Sequence, residues 1–181
     1  MRDLRFRALD HSFTLSAPEP VRSLLSDALE PLRVRADSDS PCEEIVVAET
    51  AGGRWTFVAE HAEPSPTALG SLVARVLEYV NRRAAASLTA EVPLHAAGVR
   101  TGGGGVIALA GSSGAGKSTL GAAAMLAGWG FLAEEIAAVD PVSLAVRPYH
   151  RPIGLRRGGA GALGIEYPDA ADGRYSDVYP W

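Results

Sequence analysis

The chain has 181 residues, 47% of them hydrophobic and 21% charged, the balance of a globular protein with room for one substantial domain and a small appendage. A formal charge of −4 supplies no positive field for DNA or RNA, and no apolar run approaches the roughly 20 residues that cross a bilayer, so neither nucleic acid nor membrane is an expected partner. The N-terminus lacks a signal-peptide core and Cys42 stands alone, which excludes a disulfide framework or cysteine metal site and points to the cytoplasm.

In chain order, alternating apolar positions predict short strands at residues 4–9 and 13–15. Val21, Leu24, Leu25, Ala28 and Leu29 fall at helical spacing after a proline, so a short helix is expected over 21–29. Residues 34–42 are polar and turn-rich and read as a loop. Residues 44–49 and 55–59, separated by Gly52-Gly53, read as a hairpin. Residues 66–86 carry Leu69, Leu72, Val73, Val76, Leu77 and Val80 in one apolar stripe, the signature of a helix that faces a core. A boundary near residue 88 divides an N-terminal α+β region, 1–88, from a domain over 89–181. In that domain residues 93–99 read as one strand, Gly102–Gly105 as a turn and residues 106–110 as a buried strand.

Strand 106–110 runs into Gly111-Ser112-Ser113-Gly114-Ala115-Gly116-Lys117-Ser118-Thr119 and then an Ala-rich helix to Leu126, the strand–turn–helix context that gives a phosphate-loop motif its meaning. Glycines at 111, 114 and 116 let the backbone wrap an anion with several N–H groups, and the helix aims its positive end at the same place. In that setting Lys117 reaches the β- and γ-phosphates of a nucleoside triphosphate and the Ser118 hydroxyl ligates Mg²⁺, while Thr119 is helix packing. The expected fold is therefore α/β, a P-loop domain with a mixed sheet flanked by helices beside the small α+β region.

Residues 131–133 predict the next strand, running into Glu134-Glu135 only seventeen residues after Lys117, a shorter interval than most P-loop proteins use for their acidic residue. Asp140 is a rival acid, more simply read as a turn aspartate before Pro141. Arg147, Arg151, Arg156 and Arg157 form the basic concentration of the chain, either a solvated face or a clamp for an acceptor or phosphate. His11, His61 and His150 have no supporting pattern. Gly158–Gly161 and residues 168–173 read as loop, with Tyr167, Tyr175, Tyr179 and Trp181 packing back on the domain or on another subunit.

Leu94-His95, the run 111–119 and Gly128-Trp129-Gly130-Phe131-Leu132-Ala133-Glu134-Glu135 together resemble the C-terminal catalytic domain of the HPr kinase/phosphorylase family, over about residues 92–157. The resemblance implies an ATP- and Mg²⁺-dependent kinase that phosphorylates a hydroxyl of a protein, peptide or small molecule. It places His95 near the γ-phosphate, gives Lys117 and Ser118 the phosphate and metal roles, puts Glu134 at the metal and makes Glu135 the general base. Relatives of this kind often assemble through the P-loop domain, which makes a homo-oligomer an option. This chain departs from the family in carrying glutamates where the family has two aspartates and Ala96 where it has glycine. Residues 158–181 show no match to the family's later strands, active-site arginine and acceptor loop, so the chain reads either as a fragment or as a shortened relative. The alternative is a nucleotide-binding regulatory or scaffold subunit without catalysis. ATP and GTP are not distinguished by any motif.

Overall fold

The computed structural model describes residues 3–34 and 42–166 and is a mixed α/β protein. The tyrosines and tryptophan at 167–181 and most of the loop expected at 34–42 lie outside the described residues. The chain divides between Ser87 and Leu88 into two compact units.

The first unit holds a four-stranded sheet in the order β1-β2-β3-β4, from Leu4–Ala8, His11–Ser16, Glu43–Glu49 and Trp55–Val58. The pairs β1–β2 and β3–β4 are antiparallel hairpins, whereas β2 and β3 run parallel, joined by a crossover that contains helix α1 (Val21–Leu29). Alternate residues of β1 and β3 are buried, as expected of strands with one face on a core. Phe6 stacks on Phe13 at 5.1 Å between ring centres in that core. Helix α2 (Leu69–Ala86) buries Leu72, Val73, Val76, Leu77, Tyr79 and Val80, and packs on α1, β1 and β4. It starts at Leu69, the first residue of the stripe and three residues later than the expected segment 66–86. Thr67 instead exchanges two backbone hydrogen bonds with Trp55 (both 2.8 Å), which holds residues 66–68 out of the helix.

Beneath α2 lies Glu43, whose side chain is 3% exposed. Its carboxylate accepts hydrogen bonds from Tyr79 Oη, from Arg83 Nε at 2.8 Å and from His11 Nε2 at 2.8 Å. Burial works to raise its pKa, but these bonds and the Arg83 charge together hold the carboxyl below its ordinary value. Burial and the bond to Glu43 push the Tyr79 phenol up to about 12. His11 gave no signal in the sequence, because its partner is 32 positions away on another strand.

The second unit contains two three-stranded sheets. One has the order β10-β9-β5, from Val146–Arg147, Ala137–Val139 and Val92–Leu94. The other has the order β7-β6-β8, from Val106–Ala110, Ala96–Arg100 and Gly130–Ala133, with β6 antiparallel to both neighbours. Helix α3 (Lys117–Leu126) packs on β6, β7 and β8, with Gly121 facing Ala97. Helix α4 (Arg157–Ala162) packs on α3; Ala122, Ile153, Leu155 and Ala160 form the buried cluster there.

Three expectations are corrected. The strand expected over 93–99 is two strands, β5 and β6, which break at His95 and join different sheets. Strand β7 is not buried: it lies at the edge of its sheet, and Val106 and Ile107 are exposed. An apolar run shows that a strand is hydrophobic but not whether a neighbour covers it. Gly158–Gly161 is part of helix α4 rather than a loop. Small residues suit that position, because a Cβ on Gly159 would lie 2.6 Å from Thr119 Oγ1.

Candidate functional site

Strand register decides where the site residues meet. Ala110, the last residue of β7, pairs with Ala96 at the start of β6, and Ala133, the last residue of β8, pairs with Gly98 two residues on. The glycine-rich turn that follows β7, the acidic pair that follows β8 and His95 that precedes β6 therefore leave the sheet at one end. Beyond that end is a cavity of about 610 Å³ lined by residues of all three, with Arg151 and Arg156 from the segment that leads into α4.

In the turn, Gly114 and Gly116 have φ of 82° and 90°, a region where a side chain is costly. Gly116 is the N-cap of α3 and carries no side-chain cap, so the first N–H groups of the helix have neither an intrahelical partner nor a capping oxygen from that residue. Lys117 Nζ donates to the carbonyls of Gly111 (3.0 Å) and Ser112 (3.2 Å), which closes the turn around its own ammonium. Ser113, Gly114, Gly116, Lys117, Ser118 and Thr119 line the cavity; Gly111, Ser112 and Ala115 do not. Gly111 has a local reason to lack a side chain, since a Cβ there would stand 3.2 Å from the Ala115 methyl.

Glu134 is 4% exposed. Its Oε1 accepts a 2.8 Å hydrogen bond from Ser118 Oγ, and its Oε2 is buried without a hydrogen-bond partner. Burial pushes its pKa up to about 7; the Ser118 bond, Arg151 and the Gly154 backbone N–H oppose the shift and the Glu135 charge adds to it. The next residue, Glu135, has φ of 68°, and the Ile136 N–H donates across it to the Glu134 carbonyl at 2.8 Å. A three-residue turn with positive φ is rare and strained. It has a plain consequence. Successive residues of a strand point to opposite faces, but this turn brings both carboxyl side chains to one cavity. Glu135 Oε2 lies 3.6 Å from His95 Nδ1, and both side chains are open to solvent, 43% and 57% exposed. His95 is thus not a core histidine; the break between β5 and β6 delivers it to the cavity mouth.

The other candidates separate clearly. Asp140 is half-buried and accepts hydrogen bonds from the N–H groups of Val142 and Ser143 (both 2.8 Å), which hold its pKa below the ordinary value; it closes its own turn and does not line the cavity. Arg147 pairs with Glu91 at 3.0 Å. Arg151 and Arg156 line the cavity; Arg157, the first residue of α4, does not. His150 is exposed, and His61 lies 3.8 Å from Glu60.

No family model, curated protein or solved structure matches this chain. No helix among the described residues is long and apolar enough to cross a membrane.

The raised pKa of Glu134 makes ligand-free stability depend on pH. Between its unfolded value near 4.5 and its folded value of about 7, the folded chain holds a proton that the unfolded chain has released. The stabilisation is complete below the unfolded value and is lost as pH rises through the folded one, by roughly 3 kcal/mol in total. Denaturant titrations at pH 5 and pH 8 are expected to show this loss in wild type, and Glu134→Gln is expected to remove most of it.

Proposed function

We propose that the second unit binds ATP with Mg²⁺ through residues 111–119 and Glu134, and transfers the γ-phosphoryl group to a hydroxyl of a protein, peptide or small-molecule acceptor, as a P-loop kinase resembling HPr kinase/phosphorylase. The observation that carries the reading is the Ser118–Glu134 pair: a helix-terminal hydroxyl bonded to a buried carboxylate, inside a cavity whose wall is a glycine-rich turn. The donor set fits the metal. Ser118 Oγ and the buried Glu134 carboxylate supply hard oxygens, and Mg²⁺ in triphosphate sites takes one or two protein oxygens and fills its shell from phosphates and water. When bound, the ion neutralises charge on the β- and γ-phosphates.

The chain's own residues account for the rest. Open N–H groups at the start of α3 and the Lys117 ammonium gather the phosphate oxygens, Lys117 exchanging its two carbonyl partners for them. Glu134 gives up its proton to serve as a ligand. The acceptor hydroxyl enters at the mouth beside His95 and Glu135. Its oxygen forms a bond to γ-phosphorus as the bond to the β–γ bridging oxygen breaks, its proton passes to the Glu135 carboxylate, and ADP leaves. His95 stands beside Glu135 at 3.6 Å, within reach of the same acceptor hydroxyl.

Calorimetry with ATP and GTP, each with Mg²⁺ and with chelator, tests the binding step. Micromolar affinity that falls at least about tenfold on chelation is expected, the loss of one or two charged contacts. Glu135→Gln is expected to bind ATP as wild type does and to slow phosphoryl transfer by about 100-fold. Transfer at the wild-type rate removes the base assignment. Binding without ADP formation in the presence of hydroxyl-bearing peptides and small molecules would instead make the chain a nucleotide-binding regulatory subunit.

A further inference from the structure

Arg151 is 8% exposed and lines the cavity, yet its Nε and Nη1 make no hydrogen bond. A guanidinium does not give up its charge in a protein, and removing it from water with its N–H groups unbonded is strongly unfavourable. The Glu134 carboxylate feels Arg151 electrostatically, but its own free oxygen, Oε2, is not bonded to it. Arg156 lies on the same wall and is exposed, and Gly158 next along leaves open space where a side chain would stand. This wall comes from a different segment than the glycine-rich turn, and Lys117 belongs to the turn.

We propose that Arg151 is the anchor of a second oxyanion seat in the cavity, one that holds a phosphoryl group apart from the oxygens gathered by residues 111–119. The phosphoryl group is either the terminal phosphate of the nucleotide or a phosphate carried by the second substrate. The proposal deepens the triphosphate reading of this cavity and rests on it for the identity of the ligand, but the seat itself rests on Arg151. Arg156, at the rim, meets the same anion from the solvent side.

The test uses the full chain as wild type, Arg151→Gln and Arg151→Lys, with inorganic phosphate, ADP and ATP as probes in calorimetry and thermal melting. Without nucleotide, wild type is expected to bind inorganic phosphate and to melt higher with it, and Arg151→Gln to bind it at least tenfold more weakly. Ligand-free Arg151→Gln is expected to melt at or above wild type, because a buried charge with unmade hydrogen bonds is gone, and Arg151→Lys to keep part of the phosphate binding. If Arg151→Gln weakens ATP tenfold or more and leaves ADP unchanged, the seat holds the terminal phosphate. If both nucleotides bind it as they bind wild type, and only phosphate added to the ADP complex is lost, the seat belongs to the second substrate. Unchanged binding of phosphate and of both nucleotides overturns the proposal. So does a ligand-free melting point well below wild type in both variants, which would make the guanidinium a structural group. Phosphate binding that depends on Arg151 in a wild type that fails to bind ATP keeps the seat and removes the triphosphate reading instead.

Discussion

Lys117→Ala is expected to lower ATP affinity at least about 100-fold, the cost of removing a charged donor from a phosphate that then has no substitute cation at that point. In the ligand-free chain Lys117 Nζ bonds two carbonyls of its own turn, Gly111 and Ser112, and these bonds are exposed. Exposed hydrogen bonds contribute about 1 kcal/mol or less each, so the variant is expected to stay folded while its binding is lost. Lys117→Arg is expected to rescue little, because a planar guanidinium does not fit a turn closed around a compact ammonium. Titration calorimetry with MgATP, paired with melting curves of the two variants, reads both effects. Affinity within a few-fold of wild type in Lys117→Ala would place the phosphates elsewhere and remove the proposed triphosphate site.

The largest effect on stability is expected at Glu43, far from that chemistry in sequence and function. Its carboxylate serves three donors at once, Tyr79, Arg83 and His11, drawn from helix α2 and strand β2. Glu43→Ala leaves all three without their acceptor. Removing one partner from a buried charged cluster costs about 3–5 kcal/mol; the lower end applies here because Arg83 and His11 are each about a quarter exposed and can turn to water. The Tyr79 hydroxyl, which also accepts from the His61 N–H at 3.3 Å, has less freedom to do so. Glu43→Gln keeps the shape and loses the charge, so its loss is expected to be smaller. The pH dependence runs opposite to that of Glu134. The folded pKa of Glu43 lies below its ordinary value, so its contribution is present above that value and is lost as pH falls through the folded one. Denaturant midpoints at pH 7 and pH 4 for wild type and Glu43→Gln check the sign: the gap between them narrows at the lower pH.

Much of the first unit is readable from spacing alone, because its signals are local. The helix at Val21–Leu29 falls where its apolar spacing puts it, and the strands at Glu43–Glu49 and Trp55–Val58 are within a residue of expectation. Helix α2 starts three residues after the expected 66 for a non-local reason, the pairing of Thr67 with Trp55. The cluster around Glu43 was invisible for the same reason. Its members are 32 to 40 positions apart, and nothing about a single His11 or Glu43 announces a partner on another element.

In the second unit the amino-acid order alone determines a strand over Val106–Ala110, a turn that only glycines at 114 and 116 allow, and a helix that starts at Lys117, since each depends on neighbours within a few residues. What those pieces face was decided by long-range pairing. Antiparallel register between β6, β7 and β8 brings His95, the glycine turn and the acidic pair to one end of a sheet. A strained turn at Glu135 directs two adjacent carboxyl groups into one cavity where strand geometry would have separated them. Edge position leaves β7 exposed although its sequence is that of a buried strand, and the packing of α4 on α3 turns a run of glycines into a helix. Arg151 was one of four similar arginines until folding buried it with Nε and Nη1 making no hydrogen bond. Periodicity reports which residues share a face of their own element; burial, register and the balance of charge belong to pairs of elements, and those exist only in the folded chain.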